Sequence, residues 1–353
     1  MIKRWLNRVF IQGLSGMATG LFATLIIGTI MSQAGTLLGG ELGEHLIMMS
    51  SVVKALTGAG IGVGVANKYG ESPLVTVSAA SAGMIGAFAS NLLAGKVIVD
   101  GAIQLAGAGE PLGAFIAAYV GIELGHLVSG KTKLDILITP IISIFCGGTA
   151  GIIVGPPISR FMMQLGEMIR WGTDQQPFLM GIVVSVLMGM ILTLPISSAA
   201  LGVVLNLSGL SAGAAAVGCS TQMVGFAVAS FRENGFGGLL AQGIGTSMLQ
   251  VPNIVRKPII WIPPILASAI LGPISTVVLK MTNNAIGSGM GTAGFVGQLM
   301  GYETMVSEGV PAQAAFLEIL VMHIIVPAIL TYVIAEFMRN KGLIKNGDMK
   351  LDL

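Results

Sequence analysis

The residues in this chain that could do chemistry are few, and most are amides rather than acids, bases or nucleophiles. Two short runs resemble one another, Gly243-Ile-Gly-Thr246 and Gly289-Met-Gly-Thr292. Each lies in an uncharged, glycine-rich stretch that also carries amides. Gln242, Gln250 and Asn253 lie near the first, and Asn283, Asn284 and Gln298 near the second. Amide side chains both donate and accept, and glycine turns offer backbone N–H groups, so together they suit hydrogen bonding to a hydroxyl-bearing solute. The densest charged group nearby is Arg232-Glu233-Asn234, which follows a stretch, 175–231, with no Asp, Glu, Lys, Arg or His. There Glu233 would accept from solute hydroxyls, and Arg232 would pair with it or meet an anionic group. The expected solute-binding set is Gln222, Arg232, Glu233, Asn234, Gln242, Gly243, Gly245, Thr246, Asn253, Asn283, Asn284, Gly291, Thr292 and Gln298. The alternatives are that Arg232-Glu233-Asn234 is a solvated connection between helices, and that the four-residue likeness is chance in a glycine-rich chain. No catalytic residue, metal site or cofactor is expected.

Other candidates carry less. Gly125-His-Leu-Val-Ser-Gly-Lys131-Thr132 satisfies the pattern G-x-x-x-x-G-K-[ST], but a phosphate loop needs a preceding strand and a following helix whose N-terminus meets the phosphates. Here an apolar span precedes and a short basic loop follows, so nucleotide binding is not expected. Glu123 and His126 share a helix face, as partners of each other or as a cluster at a helix end. Glu318 and His323 sit in the last apolar run, where an ionisable residue faces either a bundle interior or an aqueous path. Lys54 would tie helices together or reach the interface, and His45 is expected in an outer loop. The two cysteines, Cys146 and Cys219, have neither zinc spacing nor the number of a disulfide framework, and read as buried small residues.

These residues are held in a chain built for lipid. Of 353 residues, 54% are hydrophobic and 10% charged, against about 25% charged in soluble domains; the mean hydropathy is +0.87. The 51 glycines let helices approach closely where packing supplies the association energy. A soluble catalytic domain is excluded, and no basic run interleaved with aromatics suggests a nucleic-acid partner. A spanning helix needs about 20 mostly apolar residues. Such runs cover 10–31, 47–66, 73–93, 111–128, 134–154, 178–195, 201–228, 259–279 and 316–337. The first is too long for the apolar core of a secretory signal, about 7–15 residues.

Segment 157–171 differs. Its Ile158, Phe161, Met162, Leu165 and Ile169 recur at helical spacing, with Arg160, Gln164, Glu167 and Arg170 elsewhere around the helix and Trp171 suited to the headgroups. The expected fold is an all-α integral membrane protein with about ten transmembrane helices, two re-entrant hairpins at 234–255 and 281–301, and one interfacial amphipathic helix. Non-helical backbone survives at membrane depth only where protein or a water-filled cavity satisfies it, and paired glycine-interrupted segments point to a carrier's binding site. The expected organisation is a five-helix half over 1–155, the interfacial helix over 156–172, a transport half over 173–338 and a tail over 339–353. Lys3, Arg4 and Arg8 at one end, and Arg339, Lys341, Lys345 and Lys350 at the other, place both termini in the cytoplasm.

The runs Cys219-Ser-Thr-Gln-Met-Val-Gly-Phe-Ala-Val228, Ser230-Phe-Arg-Glu-Asn-Gly235, Ala241-Gln-Gly-Ile-Gly-Thr-Ser-Met-Leu-Gln250, Pro252-Asn253 and Trp261-Ile-Pro-Pro264 carry a resemblance. They are similar to the EIIC-type membrane components of the bacterial phosphotransferase system, within them the branch of the clostridial perfringolysin O regulator. The likeness extends over nearly the whole chain. It implies a bacterial plasma-membrane homodimer joined through the first five spans, and a C-terminal transport domain holding the two hairpins. In sugar-transporting relatives a partner EIIB module phosphorylates the cargo at the cytoplasmic face from a phosphocysteine or phosphohistidine. No EIIB or EIIA domain is appended here, so either a separate EIIB protein would supply phosphate or the chain does something else. Glu233 is the best match to the glutamate that contacts sugar in that family, and no histidine lies in the hairpin regions.

The function expected is therefore a permease that moves a small polar solute, a sugar or sugar derivative, by an elevator-like shift of the second half. A sensor that binds solute without moving it is the first alternative. An ion-coupled carrier that never phosphorylates its cargo is the second.

Overall fold

The computed structural model describes residues 7–99, 101–105 and 107–351, so Lys3 and Arg4 of the expected topogenic cluster, and Asp352 and Leu353 of the tail, lie outside the described residues. The fold is all-α apart from one small antiparallel pair, Ile98–Val99 with Ala102–Ile103. It divides between Met162 and Met163 into two compact units.

The expectation of about ten crossings is corrected. Among the described residues six helices are long and apolar enough to cross a membrane: Arg8–Thr36, Pro111–Val128, Asp135–Ile158, Gly209–Ala229, Pro258–Leu279 and Ala312–Asn340. A seventh is added only if Gly40–Ala55 and Thr57–Tyr69, bent by 53° at Leu56, count as one span. That bent pair lies in the first unit, not in either stretch expected to form a re-entrant hairpin. The missing spans fail on length. Pro73–Ala87 has 15 residues and Pro177–Thr193 has 17; at about 1.5 Å per residue they reach roughly 22–26 Å against a core of about 30 Å. The first stops where Phe88 leaves helical geometry, and the second where Leu194 turns extended ahead of Pro195. The run expected over 201–228 is likewise cut, at Asn206 with φ +47°, so the long helix starts at Gly209.

The interfacial helix is also corrected. Residues 157–171 do not form a separate element but the end of one 39-residue helix, Asp135–Thr173, which runs unbroken through Pro156 and Pro157.

Packing within each unit rests on small residues. In the first, Gly16 and Gly20 of one helix meet Gly64 and Gly60 of another, backbone against backbone, the close approach that small residues at i and i+4 permit. Arg8 gathers the charges there: its Nε donates to Glu123 at 2.6 Å and Nη2 to Glu71 at 3.2 Å, and His126 meets Glu71 at 2.8 Å. Glu123 and His126 are thus linked through Arg8 and Glu71 rather than to each other. Gly125–Thr132 is no phosphate loop, because its Gly130 N–H is bonded to the Asp135 carboxylate at 2.8 Å and a helix, not a strand, precedes it. In the second unit the core surrounds Gly209–Ala229, which is almost wholly buried. A Cβ at Gly218 would overlap the Ser185 carbonyl, and one at Gly213 the Met281 carbonyl.

Candidate functional site

Because the central helix Gly209–Ala229 has little surface to give to lipid, its polar side chains must be satisfied by neighbours. Ser220, Thr221 and Gln222 are fully buried. Two irregular segments flank it.

The first begins with Phe231–Leu240, kinked at Gly235, and continues through a wide turn, Ala241–Gly245, and an extended Thr246. A tight turn, Ser247–Gln250, and the short helix Val251–Arg256 complete it. Thr246 restarts the helix by accepting from Met248 N–H at 3.1 Å. The side chains behind the breaks form a ladder. Gln242 Nε2 donates to Ser230 Oγ (2.9 Å) and Gly238 O (3.0 Å), Gln250 Nε2 donates to Gln242 Oε1 (2.8 Å), and Asn253 Nδ2 donates to Gln250 Oε1 (2.9 Å). Ser247 bonds Thr193 at 2.8 Å, and Thr193 donates to Gln222 Oε1 at 3.3 Å, where Trp261 Nε1 also donates at 2.8 Å. Gln222 Nε2 has no partner.

The second segment runs through Ala285–Ser288, Ala293–Phe295 and Val296–Ser307. Asn283 and Asn284 set its start. Asn284 Oδ1 accepts from the N–H groups of Ile286 and Gly287, and Asn283 Nδ2 donates to Gly297 O at 2.9 Å. Gly291, at φ +52°, lies against Cys219 on the central helix, and Thr292 reaches Met223 Sδ at 3.5 Å. The turn Ala241–Gly245, which holds Gly243 and Gly245, packs beside Ala293–Phe295, so the two breaks meet. Gln298 Nε2 donates to Ser220 Oγ at 3.1 Å and to His323 Nδ1 at 2.9 Å, while its Oε1 has no partner. Gln298 also lines a cavity of about 740 Å³ walled by Phe295, Leu299, Tyr302, Gln313 and Phe316 among others.

Not every expected residue converges there. Gln222, Gln242, Gly243, Gly245, Thr246, Gly291, Thr292 and Gln298 lie along the central helix and the two breaks. Asn283 and Asn284 cap the second segment. Arg232, Glu233, Asn234 and Asn253 form another group. Arg232 bonds the Tyr332 hydroxyl at 2.9 Å and Glu336 at 3.1 Å rather than Glu233, which pairs with Arg339 at 3.3 Å. Glu233, Asn234, Gln250 and Asn253 meet the backbone of Met349–Leu351.

His323, Ser220, Thr193, Ser247 and Trp261 were not in the expected set. Only His323 carried a signal, as an ionisable residue within an apolar span. Among the described residues no group of three or more His, Cys, Asp or Glu side chains is placed to hold a metal.

A multi-pass membrane protein, with broken helices packed on a buried polar helix, has the architecture of a membrane carrier. A family profile described as "Phosphotransferase system, EIIC" matches residues 11–351, and the chain belongs to this family; it is a membrane permease of the EIIC type. No curated protein matches the chain significantly.

Proposed function

We propose that this permease moves a sugar derivative, bound beside the second broken segment. Gln298 carries the proposal. It lines a cavity whose size falls within the range of roughly 300–1,000 Å³ usual for small ligands, yet one of its amide atoms is buried without a partner. An unpaired buried polar atom costs about 1–3 kcal/mol, which a solute hydroxyl would relieve once the amide turns toward the cavity. Gln222, whose Nε2 is likewise unpaired, does not line this cavity and faces Thr193 and Trp261 instead. The cavity wall is largely aliphatic and aromatic, with Gln298, Tyr302 and Gln313 as its polar members. That mixture suits a ring with one C–H face and few hydroxyls better than a free polyol.

The test is a thermal-shift screen of the purified chain against sugars, sugar derivatives, polyols and nucleosides. A hit that stabilises the wild type should not stabilise Gln298→Leu. Equal shifts in both proteins would remove Gln298 from the site.

Movement of the second unit carries the solute, the protein works as a homodimer, and a separate EIIB protein phosphorylates the cargo. Both termini lie in the cytoplasm, as the lysines and arginines at each end favour. The runs around Cys219–Pro264 favour the perfringolysin O regulator branch. Size measurement in detergent should give a dimer; a monomer at all concentrations would exclude that assembly.

A further inference from the structure

The end of the chain is held as a bound peptide would be. Met349 N–H donates to Glu233 Oε2 at 2.8 Å, and Met349 O accepts from Asn234 Nδ2 at 2.9 Å and Gln250 Nε2 at 3.0 Å. Lys350 O accepts from Asn253 Nδ2 at 2.9 Å, and Leu351 N–H donates to Asn234 Oδ1 at 2.8 Å. Asp348 pairs with Lys257. The Met349 side chain is fully buried in the core cluster with Phe226, Ala229, Ile254 and Met338. Every one of these polar contacts on the protein side comes from the first broken segment or the residue that follows it. Two donors and two acceptors of the turning backbone over Met349–Leu351 are read, one apolar side chain is seated and one acidic side chain is paired, which is how a peptide site achieves affinity and specificity.

The segment is reached through a linker with two left-handed glycines, Gly342 (φ +72°) and Gly347 (φ +96°), neither packed against anything within 4 Å of where a Cβ would stand; Leu343 and Lys345 are exposed, while Ile344 is buried in the same core cluster as Met349 and leaves with it. Departure would leave Asn234 without either partner and take one partner each from Gln250 and Asn253.

We propose that the first broken segment carries a peptide site for a turn-forming Asp-Met sequence, filled here by residues 348–351, so that the chain's own end straps the segment. The site stands independently of the cargo. It makes the end of the chain a device that fixes the first broken segment when bound and frees it when displaced.

The experiment uses a chain truncated after Gly342 and a fluorescent synthetic peptide of residues 343–353, titrated in detergent and read by anisotropy. The truncated chain should bind the peptide at least about tenfold more tightly than the full chain, whose site is occupied. Peptides carrying Met349→Ala or Asp348→Asn should each bind at least about tenfold more weakly than the parent. Equal binding by both chains, or by all three peptides, would overturn the proposal. Should truncation prevent folding, Met349→Ala in the full chain decides by hydrogen exchange. The Met349 and Leu351 amides should exchange at least about tenfold faster while Gly209–Ala229 keeps its protection. Unchanged exchange at those amides, or faster exchange spread through Gly209–Ala229, would mean that the end is ordinary core and no strap.

Discussion

Replacing Gly291 with alanine tests whether the second broken segment is held by its contact with the central helix. Gly291 has φ +52°, and a Cβ there would lie 2.8 Å from the Cys219 carbonyl carbon and 3.0 Å from its Cβ. The left-handed backbone costs a non-glycine residue about 1–2 kcal/mol, and forcing a methyl into a packed contact costs about 1–3 kcal/mol. Together these give about 2–5 kcal/mol, a fall in unfolding temperature of at least about 4 °C for a unit of this size. The control is Gly237→Ala, at an exposed helical position with nothing within 4 Å of the added carbon. It should be neutral or stabilising by up to about 1 kcal/mol. Thermal unfolding in detergent, followed by tryptophan fluorescence or circular dichroism, reads both. If Gly291→Ala unfolds within a degree or so of Gly237→Ala, the segment is not seated on Cys219 as described.

Three further outcomes follow from the same structure. Burial pushes the Glu110 carboxyl up from 4.5 to about 7, against a long bond from Leu112 N–H at 3.5 Å. The folded chain then keeps a proton that the unfolded chain has lost, so stability should fall as pH rises through that window and level off above it; Glu110→Gln should flatten the profile, and identical profiles would contradict this. Gln242→Leu removes the bonds to Ser230, Gly238 and Gln250 and should cost about 2–4 kcal/mol in chemical unfolding; a cost under about 0.5 kcal/mol would show the ladder to be slack. Burial works against the Asp348 carboxylate, but Lys257 and the Lys345 N–H overcome it and hold the group below its usual range. Its stabilising effect is complete at neutral pH and is lost as pH falls through that lowered value. Lys257→Met should raise that value and shift the loss toward neutral pH, which hydrogen exchange at Met349 across a pH series would read.

What could be read from the sequence was whatever depends on short-range composition. The span Pro111–Val128 follows directly from an apolar run opened by Pro111 and interrupted by Glu123 and His126, and Pro258–Leu279 and Ala312–Asn340 from runs flanked by charge. Mean apolarity does not report where a helix stops, however. Phe88, Leu56 and Asn206 are ordinary residues in apolar stretches, yet each departs from helical geometry there. Conversely, Pro157 looked like the start of a new helix and the old one runs through it. The breaks near Gly245 and Gly291 were legible because glycine, threonine and amides cluster there. Partners distant in sequence were not. Asn234 meets Met349 across 115 positions, and nothing in either neighbourhood marks them as a pair. Charge adjacency suggested that Arg232 pairs with Glu233, whereas helical geometry sends neighbouring side chains in different directions, toward Glu336 and Arg339.

The most direct test of carriage is accumulation in sealed proteoliposomes, using whichever solute the binding screen identifies. The wild-type chain should accumulate the labelled solute, or release it phosphorylated when an EIIB protein and a phosphoryl donor are enclosed, and Gln298→Leu should do neither. Binding with no movement across the bilayer, with and without the donor, would make the chain a sensor and contradict the carrier assignment.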